Sequence, residues 1–307
     1  MLGSLRTALF ALTLACSGST ANAADFDKGL AAAQAGDFAT ALQEWRPLAE
    51  QGDADAQTSL GWMYRNGVGV LKDDAEAVRW YRLAAEQGYA GAQYILGFMY
   101  SNSEGVLEDN AEAVRWYRLA AEQGYADAQF NLGVMYRKGD GVLKDDAEAV
   151  RWYRLAAEQS NADAQSNLGF MHSNGEGVLK DDAEAVRWYR LAAEQGNAGA
   201  QSNLGFMYTK GEGVRKDDAE AVRWYRLAAE QGYADAQYNL AVMYRKGEGV
   251  LKDAALAHMW LNISSANGKE AAGELRDFIE KNMTREQIAE ATQLARSCME
   301  SNYQDCG

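Results

Sequence analysis

The sequence predicts an all-α solenoid of stacked antiparallel helix pairs, and three observations carry that expectation. The segment from Asp73 to Gln87 recurs almost unchanged from Asp109, Asp145, Asp181 and Asp217, which places Trp80, Trp116, Trp152, Trp188 and Trp224 at a constant spacing of 36 residues. Each copy follows a second segment of the form Ala-x-Ala-Gln-x-x-Leu-Gly-x-Met-Tyr, beginning at Ala54, Ala90, Ala126, Ala162, Ala198 and Ala234. A fixed period of this size marks stacked supersecondary units, each too small to bury its apolar face alone. Finally, only Pro47 is present, where average usage of roughly 5% would supply many more prolines, so long helices run without interruption.

Both halves of a repeat read as helices. In the second half, helix B, the residues Ala77, Val78, Trp80, Tyr81, Ala84 and Ala85 share one face, while Glu76, Arg79, Arg82 and Glu86 share the other. Asp73 and Glu76 form a capping-box pattern at its start. Gly88 suits a left-handed helix end, and the Gly67-x-Gly69 turn after helix A has the same freedom. In helix A, the residues Ala56, Leu60, Met63 and Tyr64 face the core.

The organisation along the chain follows. Arg6, the apolar run Ala8–Ala15 and the small residues Ala21-Asn22-Ala23 predict a signal peptide over residues 1–23, cleaved after Ala23. That implies a bacterial exported protein, periplasmic or secreted. A lipoprotein acylated at Cys16 is the alternative, and Thr13 speaks against it because such a box carries an aliphatic residue there. Residues 24–52 form an N-terminal helical pair that caps the stack, residues 53–268 hold six repeats, and residues 269–307 supply capping helices and a tail. In an oxidising compartment Cys298 and Cys306 are expected to form a disulfide. Eight residues of straight helix span ~12 Å, so the chain must turn back near residues 302–305 for that bond to close. The other possibility is a frayed tail with two free thiols.

The pattern Ala-Asp-Ala-Gln-x-x-Leu-Gly-x-Met-Tyr, then Gly-x-Gly-Val-x-x-Asp, then Ala-x-x-Trp-Tyr-Arg-x-Ala-Ala-Glu-Gln-Gly resembles the Sel1-like repeat, a relative of the tetratricopeptide repeat. The resemblance covers residues 53–268 in six copies. It implies a right-handed α-solenoid acting as adaptor or scaffold, with helix A of each repeat lining a concave surface. Three departures bear on local geometry: Ser103 stands for the first turn glycine in the second repeat, His172 for the tyrosine in the fourth, and Ala241 for the glycine in the sixth.

Charge and motif content narrow the chemistry. Lys and Arg total 30 against 44 Asp and Glu, a formal net charge of −14, which opposes binding to nucleic acid or anionic lipid. Some cysteine-rich members of the resembled family are associated with β-lactam hydrolysis, but their hallmark cysteine pairs are missing between Ser17 and Ser297. His172 and His258 lie in different repeats without a partnered nucleophile, so a cell-envelope hydrolase is the weaker reading. The paired aspartates serve helix starts, and no 12-residue calcium loop is present. No cofactor or metal is expected, no membrane span in the mature chain, and a monomer is.

The six internal copies show which positions vary. On the helix A face opposite the core, one position reads Thr58, Tyr94, Phe130, Ser166, Ser202 and Tyr238; another reads Trp62, Phe98, Val134, Phe170, Phe206 and Val242; a third reads Arg65, Ser101, Arg137, Ser173, Thr209 and Arg245. The expectation is that this face grips a protein or peptide, with aromatics as anchors and Arg137 and Arg245 pairing carboxylates. The competing reading is drift after duplication, with Phe98, Phe170 and Phe206 wedged between neighbouring A helices.

Overall fold

The computed structural model describes residues 20–303 and 306, with residues 20–25 described by their backbone alone. The signal-peptide expectation therefore lies largely outside the described residues, as does Cys16. The described residues fall into two compact units, divided between Ala120 and Ala121.

The first unit contains α1 (Thr20–Gln34), α2 (Phe38–Glu50), α3 (Ala54–Asn66), α4 (Asp74–Glu86) and α5 (Ala90–Ser101), and α6 (Asn110–Glu122) runs just past the boundary. The second contains α7 (Ala126–Lys138), α8 (Asp146–Glu158), α9 (Ala162–Asn174), α10 (Asp182–Glu194), α11 (Ala198–Lys210), α12 (Asp218–Ala229), α13 (Ala234–Lys246), α14 (Ala254–Ala266), α15 (Glu270–Glu280) and α16 (Arg285–Glu300). The described residues are all-α, and within each unit neighbouring helices pack pairwise as in a solenoid, with both α15 and α16 against α14. None of the described helices is long and apolar enough to cross a membrane.

Helix B forms as its pattern dictates. All six residues of the predicted apolar face of α4 are buried, and the same six positions are buried in α8, α10 and α12. Asp73 caps α4 by accepting from the amides of Ala75 and Glu76, both at 3.0 Å. The reciprocal half of the expected capping box does not form. Glu76 pairs instead with Arg79, one turn on, at 3.2 Å, and the Arg79 guanidinium lies 4.2 Å from the centre of the Trp80 ring. A carboxylate is drawn outward to a cation already held by an aromatic face, and the arrangement recurs at Glu148, Arg151 and Trp152. A complete capping box occurs at Thr284 and Gln287, where α16 begins.

Within a repeat the two helices meet at a glycine and a ring. A Cβ added to Gly61 would lie 3.0 Å from the Tyr81 ring, and one added to Gly169 would lie 2.8 Å from the Tyr189 ring. The glycine is thus needed for close approach. The sixth repeat supports this by exception: Ala241 replaces the glycine, and the residue in register with the tyrosine is Leu261, with both fully buried. Loss of the flat ring makes room for the methyl group.

Between repeats, a ladder of side-chain amides does the joining. Gln165 at the start of α9 is buried and donates from Nε2 to the Ala157 carbonyl of the preceding B helix at 3.0 Å. Its Oε1 accepts from Gln195, which ends the following B helix, at 2.7 Å. The same pair of bonds links Gln57 to Ala49 and Gln87, and Gln201 to Ala193 and Gln231. Each glutamine gives a second donor to a helix-end carbonyl that already accepts from the backbone amide three residues on, and so fixes the spacing of neighbours.

The other departures are absorbed locally. Ser103 takes the left-handed backbone with φ 57°, as does Ser160 with φ 67° where other repeats place glycine, a conformation that strains a residue bearing Cβ. α2 continues through Pro47, which is exposed, so the carbonyl deprived of its donor can be solvated. At the C-terminus α16 ends at Glu300, Asn302 and Tyr303 adopt positive φ, and the chain returns so that Cys298 and Cys306 are bonded with their Cα atoms 4.7 Å apart. The turn required for that bond is therefore present.

Candidate functional site

The A helices carry the varying positions, and the structure gives them unequal surroundings. In the first unit, Thr58 donates back to the Ala54 carbonyl at 2.8 Å. Trp62 is half-buried with its ring 6.2 Å from that of Phe38. Tyr94 lies half-buried, 6.0 Å from the Tyr117 ring. Arg65 reaches into the next repeat, where Nε and Nη2 both contact Oε2 of Glu104 at 3.0 and 2.9 Å, and its guanidinium sits 5.0 Å from the Phe98 ring centre.

In the second unit, Phe130 packs 5.8 Å from the Tyr153 ring. Arg137 donates to Asn167 at 3.1 Å, lies 3.6 Å from Glu176 and stacks 4.6 Å from the Phe170 ring. Phe170 also packs against the buried clusters of both its own and the following repeat, as the wedge reading anticipates. Phe206 differs: it is 43% exposed, with the Lys210 ammonium 5.6 Å from its ring. Tyr238 is half-buried against the last core. Arg245 is half-buried and has no ion-pair partner among the described residues.

The third varying position is less free than the sequence suggests. It lies beside the hydroxyl of the buried tyrosine of the same repeat, with Ser101 Oγ 3.3 Å from the Tyr117 hydroxyl and Thr209 Oγ1 3.5 Å from that of Tyr225. Burial pushes the Tyr153 and Tyr225 phenols up to about 12, so both remain neutral donors. The signal that could have revealed this is the constancy of the tyrosine itself, a polar tip that needs a partner when enclosed.

His172 occupies the tyrosine position of the fourth repeat. Tyr208 and Tyr244, its counterparts, accept from Arg190 and Arg226, whereas His172 is 6% exposed and neither ring nitrogen is bonded. Burial lowers its pKa, with nearby Glu184 acting in the opposite direction. His258 instead bonds through Nε2 to Glu280 at 2.7 Å. Both histidines serve packing positions. Among the described residues no group of three or more His, Cys, Asp or Glu is gathered as a metal site.

One surface feature escaped the sequence reading. Leu71 and Leu107 in the first unit and Leu143, Leu179 and Leu251 in the second stand at the tips of the loops between A and B helices, 86–90% exposed. Their spacing of 36 was visible, but periodicity alone does not distinguish a tip from a core position. On the B-helix side, an open groove of about 420 Å³ is lined by Val186, Arg187, Leu191 and Val214. Similar residues line one of about 380 Å³ along α12, so that groove is a by-product of the repeated pattern.

Comparison with known proteins now bears directly on these observations. The family model for the Sel1 repeat matches residues 54–89, 90–125, 126–161, 162–197, 198–233 and 234–269. The chain belongs to the Sel1 repeat family. Among solved structures it is similar to c5321, a protective antigen present in uropathogenic Escherichia coli strains, at 40% identity and TM-score 0.76. That match covers 85% of this chain but 56% of the antigen, so the chain spans little more than half of that relative. A Sel1 repeat protein from Oxalobacter formigenes is 34% identical, with TM-score 0.70, covering 78% of this chain and 96% of the other. No curated protein matches the chain. Sel1 repeats generally act as protein-interaction scaffolds, which fits a structure whose constant residues are devoted to holding helices together.

Proposed function

We propose that this protein is a non-enzymatic scaffold, exported to the bacterial periplasm or beyond, that binds a protein or peptide on the varying face of its A helices. The observation that supports the reading most is the division of labour within each repeat. Buried glutamines, glycine–tyrosine contacts and capped B helices keep the framework constant, while the adjoining A-helix positions change and leave Phe206 and Tyr238 able to make contact. Aromatic side chains on a rigid frame are efficient anchors because little conformational freedom is lost on binding.

The test is capture from a bacterial envelope extract with purified mature chain and with the F206A/Y238A variant. The reading expects a discrete partner with the wild-type chain and loss of it with the variant, whose helical content should match wild type at the capture temperature. Equal capture by both proteins would refute it.

A further inference from the structure

The reading above acquires a chemical preference at the end of the second unit. Arg65 and Arg137 show what a guanidinium at this position holds: each takes a carboxylate 39 residues further on, Glu104 or Glu176, and each lies over the aromatic ring of the next repeat, Phe98 or Phe170. Arg245 is the third arginine in that register. The corresponding residue 39 positions on is Thr284, whose hydroxyl caps α16 by accepting from the Gln287 amide. The ring in register, Phe278, is present in α15 and is 54% exposed.

α15 enters the stack as a seventh A helix would. Lys269 pairs with Asp235, as Tyr89 pairs with Asp55, and Asn267 bonds Gln237, as Gln87 bonds Gln57. The chain then departs into α16, so no seventh turn brings an acid to Arg245. Its Nε is shielded from solvent without a hydrogen-bond partner, and the residue in register with the tyrosine of other repeats is Leu261, which offers no hydroxyl. A shielded guanidinium nitrogen left unpaired is unfavourable, and a charge-assisted bond to a carboxylate relieves it.

We propose that Arg245 is a receptor for an acidic side chain of a partner segment, seated as Glu104 and Glu176 are seated inside the chain, with Phe278 meeting an apolar neighbour of that acid. This rests on the scaffold reading and specifies what the partner must carry.

A random-peptide phage library panned on the full mature chain tests it, with selected peptides then measured by fluorescence anisotropy against wild type, R245Q and R223Q. Arg223 lies on a B helix, where it pairs with Glu220 over the Trp224 ring. The expected result is peptides sharing an Asp or Glu beside an apolar residue, bound at least about tenfold more weakly by R245Q, and equally weakened when that acid becomes Asn or Gln. R223Q should bind as wild type does. Peptides without a required acid, or full affinity in R245Q, overturn the assignment of Arg245 and leave the scaffold reading standing. No selected peptide at all counts against both. Saturable self-association lost in R245Q would mean that the acid comes from a second copy and would overturn the proposed partner.

Discussion

The two halves of each repeat differ in how much they vary from copy to copy. The B helices are near-copies: α8, α10 and α12 share Asp-Ala-Glu-Ala-Val-Arg-Trp-Tyr-Arg-Leu-Ala-Ala, and the same six positions are buried in each. The A helices keep the two alanines, the glutamine, the leucine and the methionine in all six copies and the glycine in five, and change at most other positions. Constancy in this molecule follows the packed interior, while the varying positions range from the exposed Phe206 to Ser101 and Thr209 beside a constant tyrosine hydroxyl.

Breaking the constant half should have the largest effect. Leu168 is fully buried between α9 and its neighbours, and L168A is expected to cost about 2–5 kcal/mol, read from urea unfolding. Q165A should cost about 1–3 kcal/mol, since the Ala157 carbonyl and the Gln195 amide lose their shared partner. G169A pushes a methyl group into the Tyr189 ring and should cost about 1–3 kcal/mol. The double variant G169A/Y189L recreates the Ala241–Leu261 combination of the sixth repeat, so part of the G169A loss should be recovered when it is measured against Y189L.

Smaller effects sharpen the comparison at positions where one repeat departs from the rest. The folded-state pKa of His172 is lowered from 6.5 by burial, so the unfolded chain binds this proton more readily. Stability should therefore decline as pH falls through 6.5 towards the lower folded value, and that contribution should vanish in H172Y when melting is compared at pH 7.5 and 5.5. H172Y should also restore the acceptor that Arg190 and Arg226 find elsewhere. S103G removes a left-handed non-glycine residue and should raise stability by about 0.5–1 kcal/mol in the same assay.

The framework was legible in the sequence because it is written six times. Period, caps and apolar faces are local properties, and they set the order and pairing of the repeat helices, whereas α1 begins at Thr20, ahead of the pair expected from residue 24. The capping box failed because Glu76 had two claimants, and only the position of Arg79 over the Trp80 ring decides between them. The candidate face was less legible. Arg137 is expected to pair a partner's carboxylate, yet its acid and that of Arg65 come from the next repeat of the same chain, beyond the reach of a helical wheel. Phe206 and Phe170 are the same residue at the same position, and only the packing of neighbouring repeats makes one exposed and the other a wedge.

The most direct measurement of the central claim is site-specific photo-crosslinking in a bacterial envelope extract. A benzophenone amino acid would be placed in turn at Phe206 on the A-helix face, at Leu179 on a loop tip and at Leu191 on the B-helix side. The account predicts a discrete partner adduct from position 206 and none from 179 or 191. Adducts from 179 or 191 with none from 206 would contradict it.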